Sequence, residues 1–215
     1  MLVFLEKFSC RIADCIFATN ESYKKIEIER ANVGADKIYI VRNGVDYLLR
    51  ALYYLRYEFK RDNFYSVIIG RGDALENLKK LAEKLHLNKN VYFTGYIPDE
   101  KMRSYLSAVD ICLSPDPSSP LNDISTWIKV MEYMALGKPI VAFDLSETRF
   151  SSREAALYAK PNDEIDFAKK IALLMDNPVL RKKMGESGKQ RVEKELDWRY
   201  VSRLLLRAYE NLRRR

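Results

Sequence analysis

The sequence lacks the residues from which many metal-dependent and nucleophilic enzymes are built. Its 215 residues include one histidine, His86, and three cysteines, Cys10, Cys15 and Cys112, whose spacing matches no metal-binding motif. No Ser/His or Cys/His nucleophile system can therefore be assembled around His86. An odd number of cysteines also favours a reducing cytoplasm over a disulfide-stabilised secreted fold.

Long apolar runs are also missing. None approaches the ~18–20 residues that span a bilayer, and Glu6 interrupts the apolar start too early for a signal peptide. The net charge of +7 favours phosphate-bearing partners or an anionic membrane surface, although lysines and arginines on solvated helix faces explain it as well. No nucleic-acid-binding motif is present, so no nucleic-acid partner is expected.

What the sequence does contain is a regular alternation of short apolar segments with helical patterns. The predicted strands are residues 65–70, 91–95, 111–115 and 139–143. Each is joined to the next by one helix, which predicts an α/β, Rossmann-like parallel sheet with helices on both faces and these four strands as neighbours. The predicted units are residues 1–45, which break the alternation, 46–195, and a closing helix at 196–215.

The segment KVMEYMALGKPIVAF, residues 129–143, has the clearest local structure. Met131, Met134 and Ala135 recur at helical spacing and predict a buried face. Gly137 stands where a left-handed residue ends a helix, and Pro139 suits the start of a strand. This packing leaves the carboxylate of Glu132 unexplained.

Glu132 is predicted to lie near a ligand site. Its helix, predicted over residues 126–136, follows strand 111–115. Ligands of open α/β sheets bind outside the carboxyl ends of strands, beside helix N-termini. Backbone amides around Ser125 and Thr126 would suit a diphosphate, and Glu132 would accept hydrogen bonds from a ribose diol. The alternative is a surface pair between Lys129 and Glu132, although Lys129 is also a candidate for binding phosphate.

The run SPDPSSPLNDISTWIKVMEYMALGKPIVAFDLSETR, residues 114–149, resembles the donor site of family-four glycosyltransferases of the GT-B fold. Residues 38–46, 66–82 and 90–98 resemble other segments of that family in the same order. The resemblance implies the C-terminal, nucleotide-sugar-binding half of such an enzyme. The parent reaction moves a hexose from a UDP- or GDP-sugar to a glycan or lipid-linked acceptor, with retention and without a metal or other cofactor. It takes place in the cytoplasm or at the inner face of the membrane.

The same resemblance assigns roles to residues of this chain. Asp123 would contact the donor sugar as the catalytic candidate, and Glu132 would hold the ribose. Tyr96 would pack against the nucleobase, or is an ordinary loop aromatic. The remaining candidates for donor binding are Ser125, Thr126, Lys129, Gly70 and Gly72.

The sequence also departs from the family pattern. Ile124 stands where the family has the first of two glutamates spaced eight apart. One Gly44-Val45-Asp46 serves where the family has two such motifs, so the first strand of the donor domain and an Arg and Lys that grip the diphosphate are absent. Arg42 or Arg71 would have to substitute for them electrostatically. Without this first strand, a neighbouring strand is expected to have an unpaired edge. Alternatively, IYIV, residues 38–41, fills the gap.

Residues 1–45 resemble only the end of the N-terminal acceptor domain. The isolated chain is therefore expected not to transfer sugar, and a separate chain carrying the missing domain is a candidate partner. The alternative is a truncated, non-catalytic remnant that binds a nucleotide or a partner chain.

Overall fold

The computed structural model describes residues 16–18, 28–29, 38–40 and 44–213. The predicted N-terminal unit, residues 1–45, lies mostly outside these ranges. Its described part includes two short strands, β1 (Ile16–Ala18) and β2 (Ile38–Ile40), which pair in parallel with each other.

The rest of the described chain alternates between helices and strands, as predicted. The strands are β3 (Ser66–Ile69), β4 (Val91–Gly95), β5 (Cys112–Ser114), β6 (Ile140–Phe143) and β7 (Ala156–Ala159). The helices are α1 (Val45–Tyr57), α2 (Leu75–Lys84), α3 (Asp99–Ala108), α4 (Pro120–Asp123), α5 (Ile128–Ala135), α6 (Ser146–Ser152), α7 (Glu164–Asp176), α8 (Pro178–Arg191) and α9 (Trp198–Arg213).

The prediction of four neighbouring strands in one sheet is wrong in one respect. β3 pairs in parallel with β4, and β5, β6 and β7 form a second parallel sheet in that order. No hydrogen-bonded ladder joins β4 or β3 to β5. Among the described strands, β3 and β5 therefore each have the expected unpaired edge. The described part of IYIV, β2, does not fill the gap, because it pairs with β1.

Helices cover both faces of the second sheet. Alternate side chains of β6 point to opposite faces, and all four are buried. Val141 and Phe143 belong to the larger core cluster, with α1 and α7. Ile140 and Ala142 belong to the smaller cluster, with Val130 of α5. The α/β, Rossmann-like class is thus confirmed.

The larger cluster also holds the two sheets together. Partly buried side chains from β3, β4 and β5 pack against this cluster, which includes the buried residues of α1. Leu49, Leu52 and Leu55 of that helix are each at most 1% exposed. One hydrophobic core therefore supports both sheets, although no backbone ladder connects them.

The start of α1 lies against the carboxyl end of β5. A Cβ added to Gly44 would lie 1.6 Å from the carbonyl oxygen of Pro115. No other residue fits this close backbone approach.

The closing helix α9 exposes much of its apolar surface. Trp198 is 67% exposed, and Leu206, Tyr209 and Leu212 are also largely exposed. Among the described residues, no helix combines the length and apolar character needed to cross a membrane.

Candidate functional site

The turn that follows helix α5 has the left-handed Gly137 that the sequence predicted. Gly137 has a φ of +66°, its N–H donates to the Met134 carbonyl, and the Lys138 N–H donates to the Tyr133 carbonyl. These two bonds form a Schellman motif. The buried face differs from the prediction, because Val130 is buried with Met134 while Ala135 is exposed. A helix turns by about 100° per residue, so residues four apart, such as Val130 and Met134, lie on the same face.

Glu132 lies on the exposed face of α5. The helix begins at Ile128 rather than Thr126, which places Glu132 in its second turn. Ile128, four residues earlier and 76% exposed, shares that face. Among the described residues, the Glu132 carboxylate has no hydrogen bond or ion pair, so the alternative of a Lys129–Glu132 surface pair is not formed.

Lys129 is instead paired with a buried carboxylate. Its Nζ donates to Asp116 Oδ1 at 2.6 Å and lies 4.8 Å from the Trp127 ring centroid. Asp116 also accepts a 2.5 Å hydrogen bond from the Ser114 hydroxyl at the end of β5. Only 9% of the Asp116 side chain is exposed, against 34% for Lys129. The ammonium is thus held by Asp116 near the carboxyl end of β5, on a side chain that is partly exposed.

The hydroxyls of Ser125 and Thr126 already have protein partners. Ser125 Oγ donates to the Leu121 carbonyl at 2.6 Å, and Thr126 Oγ1 donates to Glu147 Oε2 at 3.2 Å. The Ser125 N–H donates to the Asn122 carbonyl. These bonds hold the loop before α5 in place, so donors for an anion must come from the amides at the start of α5 rather than from Ser125.

Asp123 connects this loop to the helix that follows β6. Its two carboxylate oxygens accept hydrogen bonds from the Ser146 N–H, at 3.0 Å, and the Ser146 hydroxyl, at 2.9 Å. Ser146 is the first residue of α6, whose free N–H groups and dipole favour a negative charge. These two bonds hold the pKa of Asp123 below its usual range, and the bond from the Ser146 N–H has the larger effect.

An Asp123→Asn substitution is therefore expected to lower the melting temperature near about pH 7 and to matter less in acid. A depressed folded-state pKa stabilises the fold above the unfolded-state value, about 3.8–3.9. That stabilisation is lost as the pH falls through the lower, folded-state pKa. Thermal melts of both forms from about pH 7 to pH 3 measure the effect. If the difference in melting temperature between wild type and variant stayed constant over this pH range, the interpretation that an ionised Asp123 binds Ser146 would be wrong.

The remaining sequence candidates lie at the ends of β3 and β4. Gly70 and Gly95 have φ of +140° and +66°, and the Gly70 N–H donates to the Gly95 carbonyl at 3.1 Å. Gly70 and Gly72 have open space where a side chain would be. Tyr96 is 68% exposed, and the Arg71 guanidinium lies 4.9 Å from its ring centroid. Arg71 and Tyr96 thus form one exposed cation–π pair beside two open glycines.

Four residues at the edge of the second sheet were not predicted from the sequence. Ser114 donates to Asp116, whereas Ser146 binds Asp123 and Glu147 binds Thr126. Each of the four lies at or shortly after the end of β5 or β6. That position was the available signal, because parallel strands bring their carboxyl ends to one edge. Asp144, also at this edge, binds Arg149 through two 2.6 Å hydrogen bonds.

Metal-binding geometry is not found at this edge. Within the described part of the chain, no three His, Cys, Asp or Glu side chains are grouped so that they could hold a metal ion. The charged groups that are candidates for donor binding are Lys129, with its partner Asp116, and the carboxylates of Asp123 and Glu132.

Comparison with known protein families decides the identity of the chain. The family described as "Glycosyl transferases group 1" matches residues 39–191. The chain belongs to this family. The match includes both sheets and the whole candidate site, and it confirms the resemblance to family-four glycosyltransferases of the GT-B fold.

Curated relatives of this family member are longer than the chain. An uncharacterised glycosyltransferase of Methanocaldococcus jannaschii is 27% identical over 171 residues, covering 79% of this chain and 42% of the relative. A phosphatidyl-myo-inositol mannosyltransferase of Mycobacterium leprae is 29% identical over 173 residues, covering 80% and 44%. The chain therefore spans less than half the length of these relatives.

Solved structures show the same fold. HepE of Anabaena in complex with UDP matches with a TM-score of 0.64 and 14% identity, over 94% of this chain and 65% of that one. WaaG, a glycosyltransferase involved in lipopolysaccharide biosynthesis, matches with a TM-score of 0.61 and 18% identity, over 82% and 48%. At these identities the likeness establishes the fold of the glycosyltransferase.

Proposed function

We propose that this chain is the donor-binding half of a GT-B glycosyltransferase and binds a UDP- or GDP-sugar at the carboxyl edge of the second sheet. The observation that carries the proposal is the exposed Glu132 carboxylate. It has no partner among the described residues and lies in the second turn of a helix whose N-terminus is at that edge. A carboxylate held this way can accept two hydrogen bonds from a ribose diol.

The neighbouring groups supply the anion-binding part of the site. The first two amides of α5, of Ile128 and Lys129, precede the helix's own hydrogen bonds and lie at the positive end of its dipole, whereas the Val130 N–H donates to the Trp127 carbonyl. The Lys129 ammonium, held by Asp116, adds a fixed positive charge. A diphosphate between the two would place the nucleoside toward Glu132. Asp123 would contact the transferred sugar, and the exposed Tyr96 would pack against the base.

The proposed reaction is retaining transfer of a hexose to a glycan or lipid-linked acceptor, without a metal or other cofactor, in the cytoplasm or at the inner face of the membrane. The acceptor side and the roof of the cleft would come from an N-terminal domain, on the same or a separate chain. Purified residues 1–215 are then expected to show no transfer from a panel of UDP- and GDP-sugars. Sugar transfer well above the hydrolysis background would contradict the proposal that a further domain is needed for activity.

Replacing Glu132 by glutamine should weaken nucleotide binding about tenfold or more. Loss of a charge-assisted hydrogen-bonding partner costs about 1.5–3 kcal/mol. Calorimetric titration of wild type and variant with UDP and with GDP measures this effect. Thermal melts of both forms should agree, because the exposed carboxylate supports no contact in the described fold.

Glu83→Gln is the matched control. It makes the same charge change on an exposed position of α2 and should leave nucleotide affinity unchanged. Measurable wild-type binding that Glu132→Gln did not alter would remove Glu132 from the site.

A non-catalytic remnant is the second candidate function. The split between β3 and β5 favours it, because a broken sheet positions the two groups of candidate residues less rigidly. Failure of wild type to bind UDP or GDP at about 1 mM would support the remnant and a role in binding a partner chain.

A further inference from the structure

The two sheets leave facing edges within a single core. β3 is hydrogen-bonded to β4 on one side, and β5 to β6 on one side. β3 and β5 do not run side by side, yet Ile68 and Leu113 pack against the same core cluster. Residues that precede both strands line one cavity, so the two strands start at the same end, and both continue into the same core cluster.

The hydrogen-bond register identifies which backbone groups face the gap. The Ser66 N–H donates to the Asn90 carbonyl, and the Cys112 N–H donates to the Pro139 carbonyl. Backbone groups of successive residues in a strand point to opposite sides. The N–H and C=O groups of Val67 and Ile69, and of Ile111 and Leu113, therefore point toward the space between the sheets.

Exposure agrees with an open edge. All four residues of β3 are partly exposed, whereas all four residues of β6, which has a strand on each side, are buried. Unpaired edges of this kind are the usual template for an added strand.

The gap opens at the amino end of the strands into a cavity of about 280 Å³. Its charged lining consists of Lys60, Arg61 and Arg181, with Asp110 and Asp176. Arg61 binds Asp176 at 2.6 Å, but its Nε is buried without a hydrogen-bond partner. The surplus of positive charge suits a carboxylate at the start of an incoming strand.

The described strands of the chain itself are already paired. β1 and β2 bind each other, and neither joins β3 or β5. Filling the gap with β1 or β2, from this chain or from a second copy, would require that pair to break. A segment of another polypeptide could enter the gap without breaking the β1–β2 pair.

We propose that the gap between β3 and β5 is a docking site for an extended segment of a partner polypeptide. The segment lies parallel to both strands and joins the two sheets into one. Its side chains are apolar on both faces, because helices cover both faces of a central parallel strand, and an acidic residue precedes them at the Lys60–Arg61–Arg181 mouth. This inference does not depend on nucleotide binding.

Amide hydrogen exchange with a synthetic peptide tests the proposal on the full chain. The probe is acetyl-Asp-Val-Ile-Val-Thr-Lys-amide at about 1 mM. Without it, the Val67, Ile69 and Leu113 amides should exchange faster than those of Ser66, Ile68 and Cys112, which face β4 or β6. With it, exchange at the first three should slow about tenfold or more while the second three change little.

Two control peptides separate strand addition from unspecific adhesion. N-methylation of the two central residues removes the donors that an inner strand needs and should abolish protection. Lysine in place of the aspartate should weaken binding about two- to fivefold, as for a partly exposed charge pair.

Three results would overturn the proposal. One is slow exchange at Val67 and Leu113 in the free chain at every concentration, which would show that the chain fills its own gap. Another is protection of these amides that rises with protein concentration alone, which would assign the gap to a second copy. The third is fast exchange that the peptide does not slow.

Discussion

Substituting alanine for Gly185 is expected to lower the free energy of unfolding by about 1–2 kcal/mol. An added Cβ would lie 2.0 Å from the carbonyl oxygen of Gly137, so helix α8 would have to move away from the end of α5. Gly137 cannot yield easily, since it holds the left-handed conformation that closes the Schellman motif. Overpacking of this kind costs about 1–3 kcal/mol, occasionally more, and the gain in helix propensity returns at most about 1 kcal/mol.

Urea unfolding of Gly185→Ala measures the effect, with Gly72→Ala as the matched control. Gly72 has open space at the Cβ position and no positive φ, so its substitution should change stability by less than about 0.5 kcal/mol. Equal effects at the two positions would show that α8 and the end of α5 are not in backbone contact. That contact supports the helix on which Glu132 lies.

Replacing Asp116 by alanine is expected to cost about 2 kcal/mol of stability. The substitution leaves the Lys129 ammonium and the Ser114 hydroxyl without the buried carboxylate that binds both. Loss of one partner of a fully buried pair costs about 3–5 kcal/mol. We take a smaller value because the Lys129 side chain is 34% exposed and water can solvate it.

Nucleotide binding should respond differently from stability in this variant. Removal of a negative charge beside Lys129 should leave UDP or GDP affinity unchanged or increase it, because Asp116 competes with a phosphate for the ammonium. Urea unfolding and calorimetric titration on the same preparation measure the two effects. Loss of affinity with intact stability would instead make Asp116 a direct contact of the ligand.

Asp144→Ala is the comparison variant for Asp116→Ala. It also removes a carboxylate from an ion pair at this edge of the sheet, with Arg149, but both side chains are more than a third exposed. Its cost should stay below about 1 kcal/mol. A cost equal to that of Asp116→Ala would show that burial does not set the strength of these pairs.

Much of the local structure was predictable. The strand at 91–95 has the predicted bounds. The strands β3, β5 and β6 lie within the predicted ranges 65–70, 111–115 and 139–143, and the last helix lies within the predicted 196–215. The turn at Gly137 and the fully buried β6 also agree. These features depend on apolar periodicity, glycine and proline within a few residues of one another, which a single sequence displays directly.

Short helices were harder to predict from the sequence. α4 and α6 were not predicted, and α5 is shorter than expected at both ends. Ser119 caps the N-terminus of α4, because its side chain accepts a hydrogen bond from the Asn122 N–H. α6 begins at Ser146, whose N–H donates to Asp123. The Ser146 contact joins residues 23 positions apart, and no local pattern reveals it.

The sequence by itself determined the family, the α/β alternation and the position of Glu132 at the carboxyl edge of a sheet. Only the tertiary structure decided that the sheet is split between β3 and β5, and that Lys129 binds Asp116 rather than Glu132. The reason is the range of the interactions. Periodicity and turns act over a few residues, whereas strand pairing and buried ion pairs depend on which distant segments the common core brings together.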